Sequence, residues 1–254
     1  MSRKNNARRA IHLMQNFELI SFAGADELAR AVAGAWLDEI AAANRAVQPQ
    51  KVALSGGRIA LKFFAEVAKQ AKVRAVSPGL IHFFWADERC VPPDDPESNF
   101  KPAHELLFVP LKIGGVQIHR IHGENPPEVA AQKAAAEISR IAPVNENGQP
   151  VLDLIFLGLG EDGHVASLFP NETDGAISDK AIFRAIKNSP KPPPNRVTLG
   201  YAALAAARQV WVLASGAGKE TALRESIFEN GGTPLARVIQ SRSQTKIFSD
   251  SRLD

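Results

Sequence analysis

The chain has 254 residues, 45% of them hydrophobic, and a formal net charge of +3, which is enough apolar material for a full core and places it among globular chains. Its single cysteine, Cys90, excludes an internal disulfide framework and fits a reducing compartment. No apolar run approaches the roughly 20 residues that span a bilayer and no signal-peptide pattern opens the sequence, so a cytoplasmic location is expected, with no membrane partner.

Residues 1–9 carry the clearest basic cluster, read as part of a frayed tail covering residues 1–16 and not as a nucleic-acid arm. The slight basic excess suits an anionic small molecule without requiring nucleic acid. From residue 17 to 254 strand-like and helix-like segments alternate, which argues for a single α/β domain with a mainly parallel sheet between two helical layers. Phe17 to Phe22 reads as the first strand, and Asp26 as the cap of a helix that buries Leu28, Val32, Trp36, Leu37 and Ile40 along one stripe. Lys51 to Leu54 is a short strand, followed by Ser55-Gly56-Gly57 and a helical run to about Ala71. Ile81 to Ala86 is an apolar strand ending in Asp87-Glu88-Arg89. Prolines 92, 93 and 96 forbid regular structure from Val91 to Ser98, and a helix begins near Asn99.

Gln117 to Ile121 is strand-like, Pro126 to Ile141 helical, and Pro143 to Pro150 a polar connector inside the one domain. Leu152 to Leu157 is almost unbroken apolar sequence, as in a strand buried on both faces. Gly158, Gly160 and Gly163 then bend the chain tightly and present Asp162 and His164 at the strand's carboxyl end, the usual ligand-binding edge of an open α/β sheet. Ala181 to Ile186 and Arg196 to Leu199 read as extended on either side of a proline-rich loop. Gln209 to Ala214 is a strand, Lys219 to Glu229 a helix and Thr245 to Phe248 a last strand.

Several of these strand ends carry polar residues. Ser55-Gly56-Gly57 lies where free N–H groups and the positive end of a helix dipole can hold an anion, or is a plain turn. Lys219 opens a helix after Ser215-Gly216-Ala217-Gly218, without the spacing of a nucleotide-triphosphate loop. Arg196 follows stiff proline backbone that can fix a guanidinium against a phosphate. Asp87, Glu88 and Arg89 supply carboxylates and a cation, fit for proton transfer or for an ordinary ion pair. Gly158-x-Gly160-x-x-Gly163 matches the dinucleotide-binding pattern, but Pro170 stops any crossing helix within two turns, and no acidic residue ends an obvious next strand. The six histidines form no close pair at ligand spacing, so no metal is expected.

Leu54-Ser55-Gly56-Gly57, Asp87-Glu88-Arg89-Cys90-Val91-Pro92 with Ser98-Asn99, Gly158 through Pro170, and Pro192-Pro193-Pro194-Asn195-Arg196-Val197-Thr198 resemble, in order and separation, the signatures of the 6-phosphogluconolactonase family. Glucosamine-6-phosphate deaminases share the Ser-Gly-Gly, Asp-Glu and Gly-x-Gly-x-Asp-Gly-His elements. The Ala166 to Pro170 continuation and the proline-rich arginine segment favour the lactonase branch. After Gly57 that family usually has small or hydroxyl residues and then a proline, whereas this chain has Arg58-Ile59-Ala60.

The resemblance implies the three-layer, Rossmann-like fold of the deaminases, ribose-5-phosphate isomerase and CoA transferases. It also implies hydrolysis of 6-phospho-D-glucono-1,5-lactone in the oxidative pentose phosphate pathway, without metal or nucleotide cofactor; a monomer or weak homodimer is expected. Ser55, Gly56, Gly57, Arg58, Arg196 and Lys219 would hold the phosphate, with Arg58 either adding a charge or facing solvent. His164 would act as general base, Arg89 and the N–H groups of the turn at Gly158, Gly160 and Gly163 would face the oxyanion, and either Asp162 or Asp87 would orient the imidazole. A deaminase-like amino-sugar enzyme and a non-catalytic sugar-phosphate binder of the same fold are the alternatives.

Overall fold

The computed structural model describes residues 16–228, 231–251 and 253; the basic cluster, and all of the expected tail but Asn16, lie outside them, as does Glu229. Nine strands are described: β1 (Phe17–Ser21), β2 (Gln50–Leu54), β3 (Ile81–Trp85), β4 (Asp87–Arg89), β5 (Leu154–Gly158), β6 (Phe183–Ile186), β7 (Arg196–Leu199), β8 (Gln209–Ala214) and β9 (Thr245–Ser249). The main helices are α1 (Ala25–Arg45), α2 (Arg58–Val73), α3 (Pro127–Ile141), α4 (Asp174–Ser178), α5 (Tyr201–Ala206), α6 (Lys219–Phe228) and α7 (Pro234–Gln240).

Six strands form one parallel sheet in the order β1-β9-β8-β5-β2-β3. After β2 the chain moves outward to β3, and after β5 it moves the other way to β8 and β9, so the order reverses between β2 and β5. In an open α/β sheet such a reversal leaves a crevice outside the carboxyl ends of the strands. Here β2 and β5 pair only at Val52↔Leu154 and Ala53↔Ile155. Beyond that point the Ser55 hydroxyl, donating to the Phe156 carbonyl at 2.9 Å, ties the diverging ends together.

Packing behind this crevice is aromatic. Leu154, Ile155, Phe156 and Leu157 are all buried, as expected for a central strand. The Phe156 ring lies 5.0 Å from Trp36 of α1, 4.7 Å from Phe63 of α2 and 5.7 Å from Trp211 of β8. Rigid rings on three sides fix the strand that delivers the glycine turn.

A second sheet, β4-β7-β6, is antiparallel and absent from the sequence reading. Ala86 makes the transition, donating to Leu54 of the large sheet at 2.8 Å and accepting from Leu199 of the small one at 2.7 Å. Two other expectations are corrected. Asp26 does not cap α1: Gly24 holds that position, and Asp26 sits in the first turn, paired at 2.5 Å with Lys62 of α2. Gln117 to Ile121 is a 3₁₀ turn, Gly115–Gln117, followed by a single bridge from Ile118 to Phe83. The Gln117 amide donates to the carbonyls of Pro78 and Ile81, so pairing with β3 is limited to the bridge at Ile118 and the His119 N–H to Phe83 carbonyl bond.

The proline-rich stretch after β4 is anchored by Glu88, which is 3% exposed. One carboxylate oxygen accepts the backbone N–H groups of Arg89 and Asn99, both at 2.7 Å, and the other accepts the Phe100 N–H at 2.9 Å and the Ser98 hydroxyl at 3.0 Å. A loop with little backbone pairing of its own is thereby closed on one side chain. An amide at this position offers one accepting oxygen where two are used, so Glu88→Gln is expected to lose about 1–3 kcal/mol of stability. The check is the urea unfolding midpoint, and a midpoint equal to that of the parent protein would show that the loop is held by other contacts.

Candidate active site

The glycine turn folds His164 back on its own segment. Gly160 N–H donates to the His164 carbonyl at 2.8 Å, and Asp162 Oδ1 meets His164 Nδ1 at 2.5 Å. A side chain at Gly160 is impossible in this arrangement, because a Cβ there would stand 1.9 Å from His164 Nδ1 and 2.5 Å from Asp162 Oδ1. With Nδ1–H directed at the carboxylate, Nε2 is left as the free lone pair of the imidazole. The ring packs on Phe169 at 4.9 Å, and burial makes the imidazole less basic than usual, against the opposing pull of Asp162. The geometry therefore puts Asp162, not Asp87, on His164.

Asp87 has other partners. It is buried, accepts the Ser167 hydroxyl at 2.7 Å and the Asn99 amide at 3.3 Å. Ser167, fully buried, in turn accepts from Arg196 Nη1 at 3.4 Å, so one hydroxyl links β4 to β7 through the segment after His164. The rest of the Arg196 guanidinium is held by the carbonyls of Pro193, Lys191 and Pro192 at 2.9–3.1 Å, with Phe169 beneath it at 5.6 Å. Burial, followed by the neighbouring Arg89, lowers its hold on its proton. Arg89 donates to the Glu97 carbonyl at 2.7 Å, while its buried Nε has no partner among the described residues. Asn99 fits against Gly56, where a Cβ would be 1.8 Å from the Asn99 side-chain oxygen.

These groups line one cavity of about 240 Å³ at the β2/β5 crevice. Ser55, Gly56, Gly57 and Arg58 at the start of α2, Asp87, Arg89, Gly158, Gly160, His164, Arg196 and Lys219 all contribute to it. Asp162 and Gly163 stand behind it as supports. Arg58 lies at the rim, largely exposed and 3.8 Å from Glu161, so it faces solvent and the cavity mouth. Lys219, at the start of α6, is partly buried, and this burial makes its ammonium more acidic than usual. The cavity thus has a helix start, whose dipole favours negative charge, cations on several walls and one oriented imidazole.

Sequence reasoning missed Asn99 as a wall of the cavity, Ser167 as the link between Asp87 and Arg196, and Lys191, whose ammonium is 3.5 Å from Asp162 Oδ1. Glu88, adjacent to Asp87 and of like chemistry, has both oxygens occupied and turns away from any proton transfer. A larger cavity of about 520 Å³ beside β3 contains none of the expected residues. Both ring nitrogens of its His119 are taken, by His82 and Glu137, each at 2.9 Å. Among the described residues, no group of three or more His, Cys, Asp or Glu side chains is placed to hold a metal ion.

The chain is similar in sequence and fold to several known proteins. A 6-phosphogluconolactonase of Haemophilus influenzae is 34% identical over 205 residues, which cover 80% of this chain and 85% of the relative. The solved structure of 6-phosphogluconolactonase from Trypanosoma brucei superposes with a TM-score of 0.81 at 25% identity, covering 92% of this chain and 97% of that one. A monomeric glucosamine-6-phosphate deaminase reaches a TM-score of 0.75 at 15% identity, over 92% of this chain and 96% of that one, and shares the fold alone. The family model described as glucosamine-6-phosphate isomerases/6-phosphogluconolactonase matches residues 23–248, and the chain belongs to that family.

Proposed function

We propose that this chain hydrolyses 6-phospho-D-glucono-1,5-lactone to 6-phospho-D-gluconate, the second step of the oxidative pentose phosphate pathway, with residues 17–254 acting as one catalytic unit. The observation that carries the reading is the His164–Asp162 pair, 2.5 Å apart, on a cavity also lined by Lys219, Arg196 and the Ser55-Gly56-Gly57 turn. A phosphate carries close to two negative charges at neutral pH, which suits a helix start and two cations. Held there, remote from the reacting bond, it fixes the sugar ring and converts binding energy into orientation of the carbonyl.

In the chemical step, Nε2 of neutral His164 takes a proton from water as the oxygen attacks the lactone carbonyl. Asp162 keeps the tautomer and stabilises the imidazolium formed. Arg89 faces the oxyanion of the tetrahedral intermediate, whereas the Gly160 and Gly163 N–H groups are occupied within the turn by the carbonyls of His164 and Gly160 at 2.8 and 3.1 Å and are not donors to it. Collapse breaks the bond from the carbonyl carbon to the ring oxygen, and the imidazolium returns its proton to that oxygen, leaving the open-chain acid.

The deaminase alternative rests on a shared fold at low identity, and a binder without turnover would have little use for an oriented imidazole. Loss of 6-phosphogluconolactone, followed beside ammonia release from glucosamine 6-phosphate and against an enzyme-free control, separates the three readings.

Three measurements test the assignments. His164→Ala is expected to lower kcat by about 10²–10⁴-fold with the thermal midpoint unchanged; lactone turnover near the parent level would remove His164 from the mechanism. Because the base must be neutral and burial depresses its proton affinity, kcat/KM is expected to hold on acidification to below the usual imidazole range and only then to fall. A fall that begins above that range would mean another group is titrating. Lys219→Ala is expected to raise KM by roughly 10–100-fold, the worth of a charge-assisted hydrogen bond, with kcat less affected. A KM equal to the parent's would place the phosphate elsewhere.

A further inference from the structure

A carboxylate that orients a catalytic imidazole has an unwanted side effect. By stabilising the imidazolium it favours the protonated ring, which is useless as a base. In this site the same carboxylate oxygen has a second cationic neighbour. Lys191 Nζ lies 3.5 Å from Asp162 Oδ1, the atom that holds His164 Nδ1 at 2.5 Å. The lysine comes from another part of the chain, the proline-rich loop, and that loop is fixed from behind: its Lys191 and Pro192 carbonyls accept from the buried Arg196 guanidinium at 3.1 and 2.9 Å. Ser189 adds a further tie, its hydroxyl donating to the Lys191 carbonyl at 2.9 Å. The ammonium is thus carried on a braced backbone, although its side chain is partly exposed.

We propose that Lys191 is a positioning residue that separates the two effects of Asp162, leaving the carboxylate free to align His164 while offsetting the negative charge that would otherwise keep the ring protonated. This rests on the general-base reading of His164. The charged groups around the imidazole are few. Asp162 lies on its own turn, Lys191 on the proline-rich loop and Asp87 on β4; Arg89, Arg196 and Lys219 line the same cavity. Asp162 and Asp87 favour the imidazolium and Lys191 disfavours it, in addition to the larger effect of burial. Lys191 also lowers the proton affinity of Lys219, so its field reaches across the cavity.

The test uses the full chain and the variants Lys191→Met and Lys191→Arg, with two readouts: the titration of the His164 ring by NMR, assigned by its loss in His164→Ala, and the pH profile of lactone kcat/KM. In Lys191→Met the ring is expected to titrate at higher pH than in the parent. The acidic limb of kcat/KM is expected to move the same way, with a loss of roughly two- to fivefold in mildly acidic buffer, the size expected of a partly exposed charge pair, and with the alkaline plateau kept. Lys191→Arg is expected to restore both. In an Asp162→Asn background the same lysine substitution is expected to move the ring titration less. An unmoved His164 titration in Lys191→Met overturns the proposal, as does a raised KM with an unmoved pH profile, which would make Lys191 a substrate-binding cation. If His164→Ala kept its activity while the ring titration still followed residue 191, the electrostatic coupling would stand and the general-base reading would fail, so the two claims can fail separately.

Discussion

The structure depends on a reversal of strand order. Because the chain leaves β2 toward one edge of the sheet and β5 toward the other, a crevice is left at the carboxyl ends of these two strands in an otherwise tightly packed molecule. The Ser55-Gly56-Gly57 turn and the Gly158 to His164 turn come from those two strands. The strands behind them are packed by one aromatic cluster, Trp36, Phe63 and Trp211 around Phe156, while the second turn is also held by its own Gly160–His164 and Asp162–His164 contacts. The two cavity-lining turns are thus mounted on well-packed strands, as precise placement of reacting groups requires.

Around that crevice the polar groups divide into those that face the cavity and those that hold them there. Asp87, Ser167 and Arg196 form a buried chain in which each side chain satisfies the next. Glu88 closes the neighbouring loop, and its four donors leave it no capacity for chemistry. Such networks are costly when incomplete and stiff when complete. Here they convert short, proline-rich segments with little regular structure into walls of fixed shape. Placing Asn99 directly against Gly56 is one result: the loop after β4 and the turn after β2 share a surface that leaves no room for a Cβ.

Much of this was legible from residue order. An apolar run broken by three glycines located β5 and its turn, and strand-to-helix junctions located Ser55 and Lys219, because buried strands and tight turns have strong local signatures. The antiparallel sheet was not legible, since β4 is three residues long and continues β3 with only Ala86 between them. Periodicity also cannot separate Asp87 from Glu88, two adjacent carboxylates whose opposite roles are decided by which side of a short strand each occupies. Lys191 was hidden for a related reason. Its relation to Asp162 spans 29 positions and depends on how Arg196 gathers the proline-rich loop, a tertiary effect with no local trace. The misread segment from Gln117 to Ile121 has strand-like composition, but its glutamine amide is spent on two carbonyls at the end of another strand.

The cavity draws on residues from Ser55 to Lys219, so its walls meet only when most of the sheet is in place. A nascent or truncated chain that has formed β2, α2 and β3 would possess the Ser55-Gly56-Gly57 turn without the imidazole, and one ending before α6 would lack the ammonium. Contacts so distant along the chain form late in folding. Catalytic competence should therefore appear in a single step near completion, and turnover of this protein is a sensitive gauge of how much of a preparation has reached the native state.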